Sequence, residues 1–477
     1  MLQRWVEHPT VEERRERGTT ARTVAARSSH AGWTRSADRA DPVALLEEQN
    51  LTREPDLVPV RHGRMLVSPL TFYRGAAKIM AADLRSTPRA GLISQLCGDA
   101  HLSNFGVFAS PERVLLFDLN DFDETLPGPF EYDVKRLCAS FTIAAHNNGF
   151  TAAQARDVTA TAVRVYREAM AEFAQMTTME VWYARLSEKD VLAAMKNLIK
   201  AEKGKRQEVA ERAGLVAERS VSKARTRDSL QALGQLAEKV DGSFRIKSQP
   251  PILIPARELG EAYGMSADEV QETLQNQFRS YRTTLQADRR QLLERFEVID
   301  VARKVVGVGS VGTRAFIALL EGRDQDDPLF LQVKEATASV LEGHLPKSRF
   351  RLHGQRVVQG QRLMQAASDI FLGWTRGVQE NRHLYWRQLR DMKGSARVET
   401  MGAMGMEFYA RQCGWTLARA HARSGDPVTL AAYLGTGDKF DRSITDFAER
   451  YAVQNQLDYD AFAAAVRSGR VQAVEGV

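Results

Sequence analysis

The spacing of apolar residues divides the chain into a helical part, a β-rich part and a second helical part. From Phe72 to Leu84, and through most of residues 131–242, apolar positions recur at helical spacing. Short apolar runs separated by Gly, Asp or Pro turns begin near Phe296 and indicate strands. Helical spacing returns from Met406 to Arg423 and continues to about Val466. The pattern predicts a mixed α+β fold.

Individual runs predict individual elements. Near residue 100, LISQL and RVLLFDL predict short strands that flank the polar turn GDAHLSN. ATASVLEGHL predicts a helix, whereas AFIALLEG is ambiguous between helix and strand. Other strands are predicted by FEVIDVARKVVGVG, TRAFIALLEG, LFLQVKEA, GQRVVQGQRLMQA and HLYWRQLRDMKG.

Composition narrows the class of protein. The 477 residues are 43% hydrophobic and 26% charged, which excludes wholesale disorder, collagen and coiled coil. No apolar run reaches eighteen residues and the N-terminus has no apolar signal region, so we expect a cytoplasmic protein without a membrane partner. Cys97, Cys138 and Cys413 are too scattered for a disulfide framework or a zinc site.

Charge gives little support for nucleic acid as a partner. The net charge of +6 is small for a chain of this length. Basic residues concentrate between Lys196 and Arg227, but their helical spacing and the absence of interleaved aromatic residues favour a solvated helix face. Residues 1–57, rich in Arg, Glu, Ser and Thr, predict a flexible or loosely helical arm.

The densest candidate chemistry lies in LCGDAHLSNFGVFASPERVLLFDLNDFDE. It places Asp99, Asn104, Asp118, Asp121 and Asp123 in or beside turns that flank two apolar strands. Such oxygen ligands suit Mg²⁺, and a loop carboxylate can accept a proton from a hydroxyl nucleophile. Asp and Asn are common in turns because their side chains bond to the neighbouring backbone. This structural explanation accounts poorly for Asp118, Asp121 and Asp123, three acids within six positions at the end of a strand.

His101, in the same turn, fits a catalytic base, a metal ligand or a residue that orients the turn by bonding a backbone carbonyl. The last interpretation is favoured.

A glycine pattern follows a predicted strand. Gly307, Gly309 and Gly312 form G-x-G-x-x-G, which fits a hairpin turn, a Rossmann phosphate turn or a kinase-type hairpin covering phosphates. Only about ten residues separate Gly312 from Gly322, and a segment of that length is short for a Rossmann crossover helix. In the kinase-type interpretation, Lys334 on the third strand contacts the phosphates of a nucleotide.

That interpretation also needs an acidic partner for Lys334. Glu342 lies eight residues further along, in the predicted helix, and is within reach of an ion pair with the lysine. Glu335 is a weaker partner because it alternates to the opposite face of the strand.

GDAHLSN, followed by a strand that ends in aspartate, resembles the catalytic core of the aminoglycoside and choline kinase group. The resemblance implies that Asp99 receives the proton of a substrate hydroxyl, that Asn104 and Asp118 bind Mg²⁺, and that Asp133 steadies the loop. LNDFDE departs from the pattern of that group, so Asp121 is an alternative metal ligand to Asp118.

The order of the motifs is reversed relative to ordinary kinases, since the Asp99 motif precedes Gly307 by roughly 200 residues. Either one match is accidental or the halves are circularly permuted. EFYARQCGWTLARAHARSG, near the C-terminus, resembles the helix that ends just before the catalytic loop in phosphotransferases, which favours permutation.

The chain also resembles a bacterial family, domain-of-unknown-function family 2252, which implies little about activity. The resemblance spans roughly residues 60–425 and is carried by TFYRGAA, GDAHLSNFG, FDLNDFDE, GVGSVGTR, LQVKEA, QRLMQAASDIFLGW and RQLRDMKGS.

Together these patterns predict a two-lobed, protein-kinase-like α+β fold with circularly permuted segments. Residues 286–395 form the small lobe, and the helix-rich segments 58–285 and 396–477 form the large lobe. The predicted function is phosphotransfer from ATP, with Mg²⁺, to an unknown hydroxyl acceptor that is a small molecule or a protein. The adenine side is predicted at RQLRDMKG, from Arg387. The alternatives are a nucleotide-binding regulator without transfer activity and a nucleotidyl transferase.

Overall fold

The computed structural model describes residues 8–259, 266–305, 307–378, 381–389 and 391–476. Three parts of the sequence predictions lie outside the described residues: residues 1–7 of the predicted arm, Val306 beside the glycine pattern, and Arg390 of RQLRDMKG.

The described residues form a helix-rich α+β structure. Short 3₁₀ helices lie at Arg27–Ala31, Pro55–Leu57, Leu102–Asn104, Val340–Gly343 and Val398–Thr400. The α-helices are α1 (Val11–Val24), α2 (Pro42–Asn50), α3 (Val58–Leu66), α4 (Pro69–Gly75), α5 (Ala77–Leu84), α6 (Glu131–Asn147), α7 (Ala152–Phe173), α8 (Thr178–Tyr183), α9 (Glu188–Ala201), α10 (Lys205–Arg225), α11 (Ser229–Leu236), α12 (Ala256–Leu259), α13 (Ala267–Arg282), α14 (Ala287–Leu293), α15 (His353–Met364), α16 (Ala403–Ser424), α17 (Pro427–Leu434) and α18 (Lys439–Arg467).

The strands form antiparallel sheets. A six-stranded sheet has the order β11-β12-β10-β9-β8-β7, a three-stranded sheet has the order β13-β2-β3, and two smaller sheets pair β1 with β4 and β5 with β6. The strands are β1 (Ile93–Leu96), β2 (Phe105–Ala109), β3 (Leu115–Leu119), β4 (Leu126–Pro129), β5 (Ala237–Val240), β6 (Ser243–Ile246), β7 (Leu253–Pro255), β8 (Glu297–Lys304), β9 (Ala315–Glu321), β10 (Pro328–Glu335), β11 (Gly373–Arg376), β12 (His383–Gln388) and β13 (Gly394–Ser395).

Most of the predicted strands are present, and the ambiguous AFIALLEG is strand β9. GQRVVQGQRLMQA is instead helix α15, so that prediction was wrong. Its buried residues Gly354, Val357, Val358 and Gln361 follow the i, i+3, i+4, i+7 spacing of one helix face, which outweighs the β-branched valines.

Two predicted helices also differ from the structure. Phe72–Leu84 is divided between α4 and α5, because the backbone at Ala76 (φ −107°, ψ 30°) leaves the helical region. ATASVLEGHL contains only the 3₁₀ turn Val340–Gly343. Its Ser339 caps that turn, but no regular α-helix follows there.

The N-terminal segment is more ordered than the predicted arm. Helix α1 packs closely against α17: a Cβ built on Gly18 would lie 2.2 Å from the carbonyl oxygen of Thr429. His30 and Trp33, which follow α1, are buried. This segment therefore forms part of the folded body.

Helices that are far apart in the sequence share one hydrophobic core. Residues of α6 and α7 pack in it with residues of α16 and α18. The six-stranded sheet contributes to two separate clusters, one around Tyr281 and Trp386 and the other around Ile317 and Phe330. The helices that pack around the Gly98–Asn104 segment thus come from distant parts of the sequence.

Candidate functional site

Helix α6 holds the loop that follows β1. Its Asp133 accepts hydrogen bonds from the backbone N–H groups of Cys97 (2.8 Å) and Gly98 (3.0 Å). Gly98 has φ +82°, and a Cβ there would lie 2.2 Å from the carbonyl oxygen of Glu124, so only glycine fits. Asp133 therefore fixes the backbone at the start of this loop.

Asp99 extends from this loop toward a cavity and is restrained by one arginine. Arg136 places Nε 2.8 Å and Nη2 2.7 Å from the same carboxylate oxygen of Asp99. The guanidinium also lies 3.8 Å above the ring of Tyr73 and donates to that residue's carbonyl oxygen. Because Asp99 is 21% exposed, its carboxylate is both fixed in place and reachable from the cavity.

His101 is a neutral neighbour of Asp99. Burial lowers the pKa of His101 to about 4, although the charge of Asp99 opposes this effect. Its Nε2 lies 3.7 Å from Asp99. Within the described residues, its buried Nδ1 has no hydrogen-bond partner.

Asn104 joins the loop of Asp99 to the segment after β3. Its amide nitrogen donates to the carbonyl oxygens of Asp99 (3.0 Å) and Asp121 (3.1 Å). Since the amide nitrogen is engaged twice, the carbonyl oxygen Oδ1 is the side-chain atom suited to bind a cation.

Lys334 on β10 meets two carboxylates from the segment after β3. Its Nζ lies 2.8 Å from Asp123 Oδ2 and 3.7 Å from Asp121 Oδ2. The hydroxyl of Tyr385 donates to Asp123 at 2.6 Å, and Ser310 of the glycine loop lies 3.4 Å from Asp123. Residues from β10, β12, the glycine loop and the acidic segment thus converge.

These contacts shift the pKa values of Asp121 and Asp123 in opposite directions. Although burial opposes ionisation, Lys334 and Tyr385 lower the pKa of Asp123 to about 2. Burial and the adjacent charge of Asp123 raise the pKa of Asp121. The two aspartates also raise the pKa of Lys334, which stays charged despite its burial. Asp123 is the fixed ionic partner of Lys334, and Asp121, 40% exposed, is the more accessible carboxylate.

Asp118, one of the three predicted metal ligands, is not part of this cluster. Its side chain is 1% exposed and forms an ion pair with buried Arg419 of α16. It also accepts hydrogen bonds from the backbone N–H groups of Leu119 and Ala366. With its oxygens occupied and no access to the cavity, Asp118 has a structural role.

Glu342 is also displaced from its predicted position. It lies in the 3₁₀ turn and approaches Arg356, at 4.0 Å, rather than Lys334. The predicted helix in ATASVLEGHL was expected to place Glu342 within reach of the lysine, and only a 3₁₀ turn forms there. The ion-pair partner of Lys334 is Asp123.

The glycine pattern lies in the hairpin between antiparallel strands β8 and β9. This excludes the Rossmann interpretation, because a strand rather than a helix follows the glycines. Gly307 and Gly309 line the cavity. Gly312 is turned away from it: its φ is +85°, and a Cβ there would lie 3.1 Å from the Cβ of Arg53.

Residues 53–64 form hydrogen bonds to the backbone of this hairpin. Arg53 donates to the carbonyl oxygen of Val311, and the N–H of Glu54 donates to that of Gly312 at 2.7 Å. Arg64 donates to the carbonyl oxygen of Gly307 at 2.5 Å. The glycine loop is therefore held from one side, with its other side toward the cavity.

One cavity of about 970 Å³ borders the loop of Asp99, the acidic segment and part of the glycine loop. This volume lies at the upper end of the range typical of small-molecule sites. Among the described residues, no cluster of three or more His, Cys, Asp or Glu side chains is arranged to hold a metal ion. From the predicted site and its neighbours, the cavity is lined by Asp99, His101, Asn104, Asp121, Asp123, Gly307 and Gly309.

Residues 53–465 match a sequence family described as an uncharacterized protein conserved in bacteria (DUF2252). The chain belongs to this family. The match begins at Arg53, which holds the glycine loop, and ends within α18, so the whole DUF2252 site described above falls inside it. The chain matches no curated protein and no solved structure.

Several functional contacts of this DUF2252 chain were not predicted from its sequence. Asp123 was recognised only as one acid of a run, and the roles of Arg136, Arg53 and Tyr385 were missed. A local signal existed for Arg136, because it follows Asp133 by three residues and so faces the same side of α6.

In the described part of the chain, no helix combines the length and apolar character needed to cross a bilayer.

Proposed function

We propose that the protein is an ATP- and Mg²⁺-dependent phosphotransferase of kinase-like type that acts on a hydroxyl acceptor. One observation carries the proposal. Lys334 from the second strand after the glycine loop contacts Asp123 and Asp121, and these acids share one cavity with Asp99, Asn104, Gly307 and Gly309. A glycine hairpin, a strand lysine and a loop aspartate are the parts that kinase-type phosphoryl transfer requires.

The arrangement of α16 supports the circularly permuted form of this fold. The N–H of Gln95 in β1 donates to the hydroxyl of Ser424 at the end of α16, at 3.2 Å. A Cβ on Gly425 would lie 3.3 Å from the carbonyl oxygen of Ile93. The C-terminal end of α16 therefore lies beside the strand that leads into the loop of Asp99, as in a chain where the two are consecutive.

The donor set fits Mg²⁺. Asp121 and the carbonyl oxygen of Asn104 are hard oxygen ligands on adjoining segments, and Mg²⁺ sites commonly use one or two protein carboxylates with phosphate and water oxygens. When bound, the ion would neutralise negative charge on the phosphates.

In the proposed reaction, different residues bind the phosphates and accept the proton. The backbone N–H groups of Gly307 and Gly309 and the ammonium of Lys334 bind and orient the phosphates. Asp99 accepts the proton of the acceptor hydroxyl, and the oxygen of that hydroxyl forms a bond to the γ-phosphorus. The bond from that phosphorus to the bridging oxygen breaks, and ADP leaves with both bonding electrons.

Asp99→Asn tests the proposal against the parent protein. With Mg²⁺, labelled ATP and a mixture of hydroxyl compounds, we expect turnover to fall by about 10²–10⁴-fold, because general-base catalysis is lost. Nucleotide binding should persist, since the site of Lys334 is intact. Asp326→Asn, in the exposed turn after β9, is the matched control. Equal turnover in Asp99→Asn and the parent would contradict the role of Asp99.

The position of the label separates phosphoryl from nucleotidyl transfer. A γ-label that moves to the acceptor, with ADP as the second product, supports the phosphotransferase. An α-label on the acceptor, with pyrophosphate released, identifies the nucleotidyl transferase instead. Failure of ATP to bind at all would contradict any nucleotide-dependent function.

A second candidate, a nucleotide-binding regulator without transfer activity, is favoured by one contact. The two nitrogens of Arg136 that hold Asp99 occupy one of its carboxylate oxygens, so that oxygen is not available to an acceptor hydroxyl. ATP that binds with Mg²⁺ but is not consumed with any acceptor would support the regulator.

A further inference from the structure

The place where the sequence predicts the adenine is closed. The RQLRDMKG segment borders a cavity of only about 20 Å³, lined in part by Asn120, Arg387, Gln388 and Lys393. A volume of this size holds about one water molecule. A purine base therefore does not fit between β12 and the segment after β3.

Arg387 is the side chain that fills this space. Its Nε donates to Gln332 of β10 at 2.9 Å, and its Nη1 donates to the carbonyl oxygen of Asn120 at 3.1 Å. Its guanidinium also lies 5.9 Å from the ring of Tyr385. These contacts join β10, β12 and the acidic segment, so admitting a base would require both hydrogen bonds to break.

The cavity of about 970 Å³ extends instead toward the N-terminal part of the chain. Beyond the predicted site residues, its wall is built from the segment before α2, from α2 and α5, and from the 3₁₀ turn at Val340–Gly343. This wall includes Trp33, Leu45, Ala82, Arg85, Val340 and His344.

We infer that the nucleoside half of the nucleotide binds in this N-terminal part of the cavity rather than beside β12. The inference rests on the proposed function, because it concerns the orientation of the same nucleotide. The phosphates would still lie at Gly307, Gly309 and Lys334. The base and ribose would be covered by residues that precede the Asp99 motif in the sequence.

The chemistry of the wall favours an uncharged, partly apolar group. Leu45, Ala82 and Val340 offer carbon surface to the faces of a base. Burial, together with the charges of Arg85 and Lys78, lowers the pKa of His344, so its ring is neutral.

Two cations of this wall are paired within the protein. Arg39 contacts Asp83 and Asp458, each at 2.6 Å, and Lys78 contacts Glu48 at 2.8 Å.

Photolabelling of the full chain with 8-azido-ATP and Mg²⁺, followed by peptide mapping, tests the inference. We expect label that unlabelled ATP displaces in peptides covering residues 33–53, 77–86 or 340–344. Displaceable label in residues 383–395 would overturn the inference and leave the proposed function standing. No displaceable label anywhere would mean that ATP is not bound, which would overturn the proposed function as well.

A space-filling variant provides a second measurement. Ala82→Phe places a ring in the proposed nucleoside space, and we expect ATP binding to weaken by about tenfold or more. Binding of inorganic triphosphate with Mg²⁺ should match the parent, because the phosphate groups do not use this wall. Thermal unfolding confirms that the variant is folded. Equal ATP affinity in the folded variant and the parent would contradict the inference.

Discussion

Two aspartates three residues apart, Asp118 and Asp121, have different surroundings. Asp118 is enclosed with Arg419, and Asp121 is partly exposed beside Lys334. A buried ion pair costs much of its attraction in desolvation, but removing one partner leaves an uncompensated charge. A partly exposed carboxylate is screened by water and contributes less to folding.

This difference predicts distinct outcomes for two matched substitutions. Asp118→Asn should lower the free energy of unfolding by roughly 3 kcal/mol, because Arg419 loses its buried counter-ion. Asp121→Asn should stay within about 1 kcal/mol of the parent and lose Mg²⁺-dependent ATP binding. Urea unfolding and ATP titrations with and without Mg²⁺ measure these effects. A stable Asp118→Asn protein that loses the Mg²⁺ effect would return the metal role to Asp118.

At the scale of elements, the glycine hairpin depends on the segment before α3. Arg53 and Glu54 bond to the backbone of Val311 and Gly312, and Arg314 after the hairpin forms an ion pair with Glu54 at 2.7 Å. The hairpin itself was predictable from its glycines and flanking apolar runs. Its fastening was not, because the contacts join residues more than 250 positions apart.

Gly312→Ala tests this fastening. The residue has φ +85° and little space beside Arg53, so we expect a loss of about 1–2 kcal/mol in the free energy of unfolding. Gly437→Ala is the control, since a Cβ there meets no atom within 4 Å and its φ is not positive. Urea unfolding of both variants provides the comparison, and equal stabilities would show that the hairpin does not need this conformation.

At the scale of the whole molecule, the segments predicted as separate parts of a large lobe form one core. Helices α16 and α18 pack against α6 and α7, and Tyr166 of α7 bonds to His421 of α16 at 2.9 Å. Tyr409 of α16 also donates to the carbonyl oxygen of Leu102, next to the candidate catalytic loop. The C-terminal helices thus support the site directly.

A chain that ends at residue 402 should therefore lack a cooperative unfolding transition. Without α16–α18, the buried faces of α6 and α7 are exposed to water and the loop of Asp99 loses its support. Near-ultraviolet circular dichroism during urea unfolding measures this effect. A chain lacking residues 1–9, which precede α1, is the control and should unfold like the parent. A parent-like transition in the shorter chain would contradict the shared core.

The sequence by itself determined the local features of this protein: the helical and strand periods, the turn that carries Asp99 and Asn104, the glycine hairpin and the strand of Lys334. These follow from side-chain spacing and backbone preference over a few neighbouring residues. Only the tertiary structure decided that Asp123 rather than Glu342 pairs with Lys334, that Arg419 removes Asp118 from the site, and that Arg387 fills the predicted adenine space. Each of these outcomes depends on charges brought together from distant elements, and spacing along the chain carries no information about such distances.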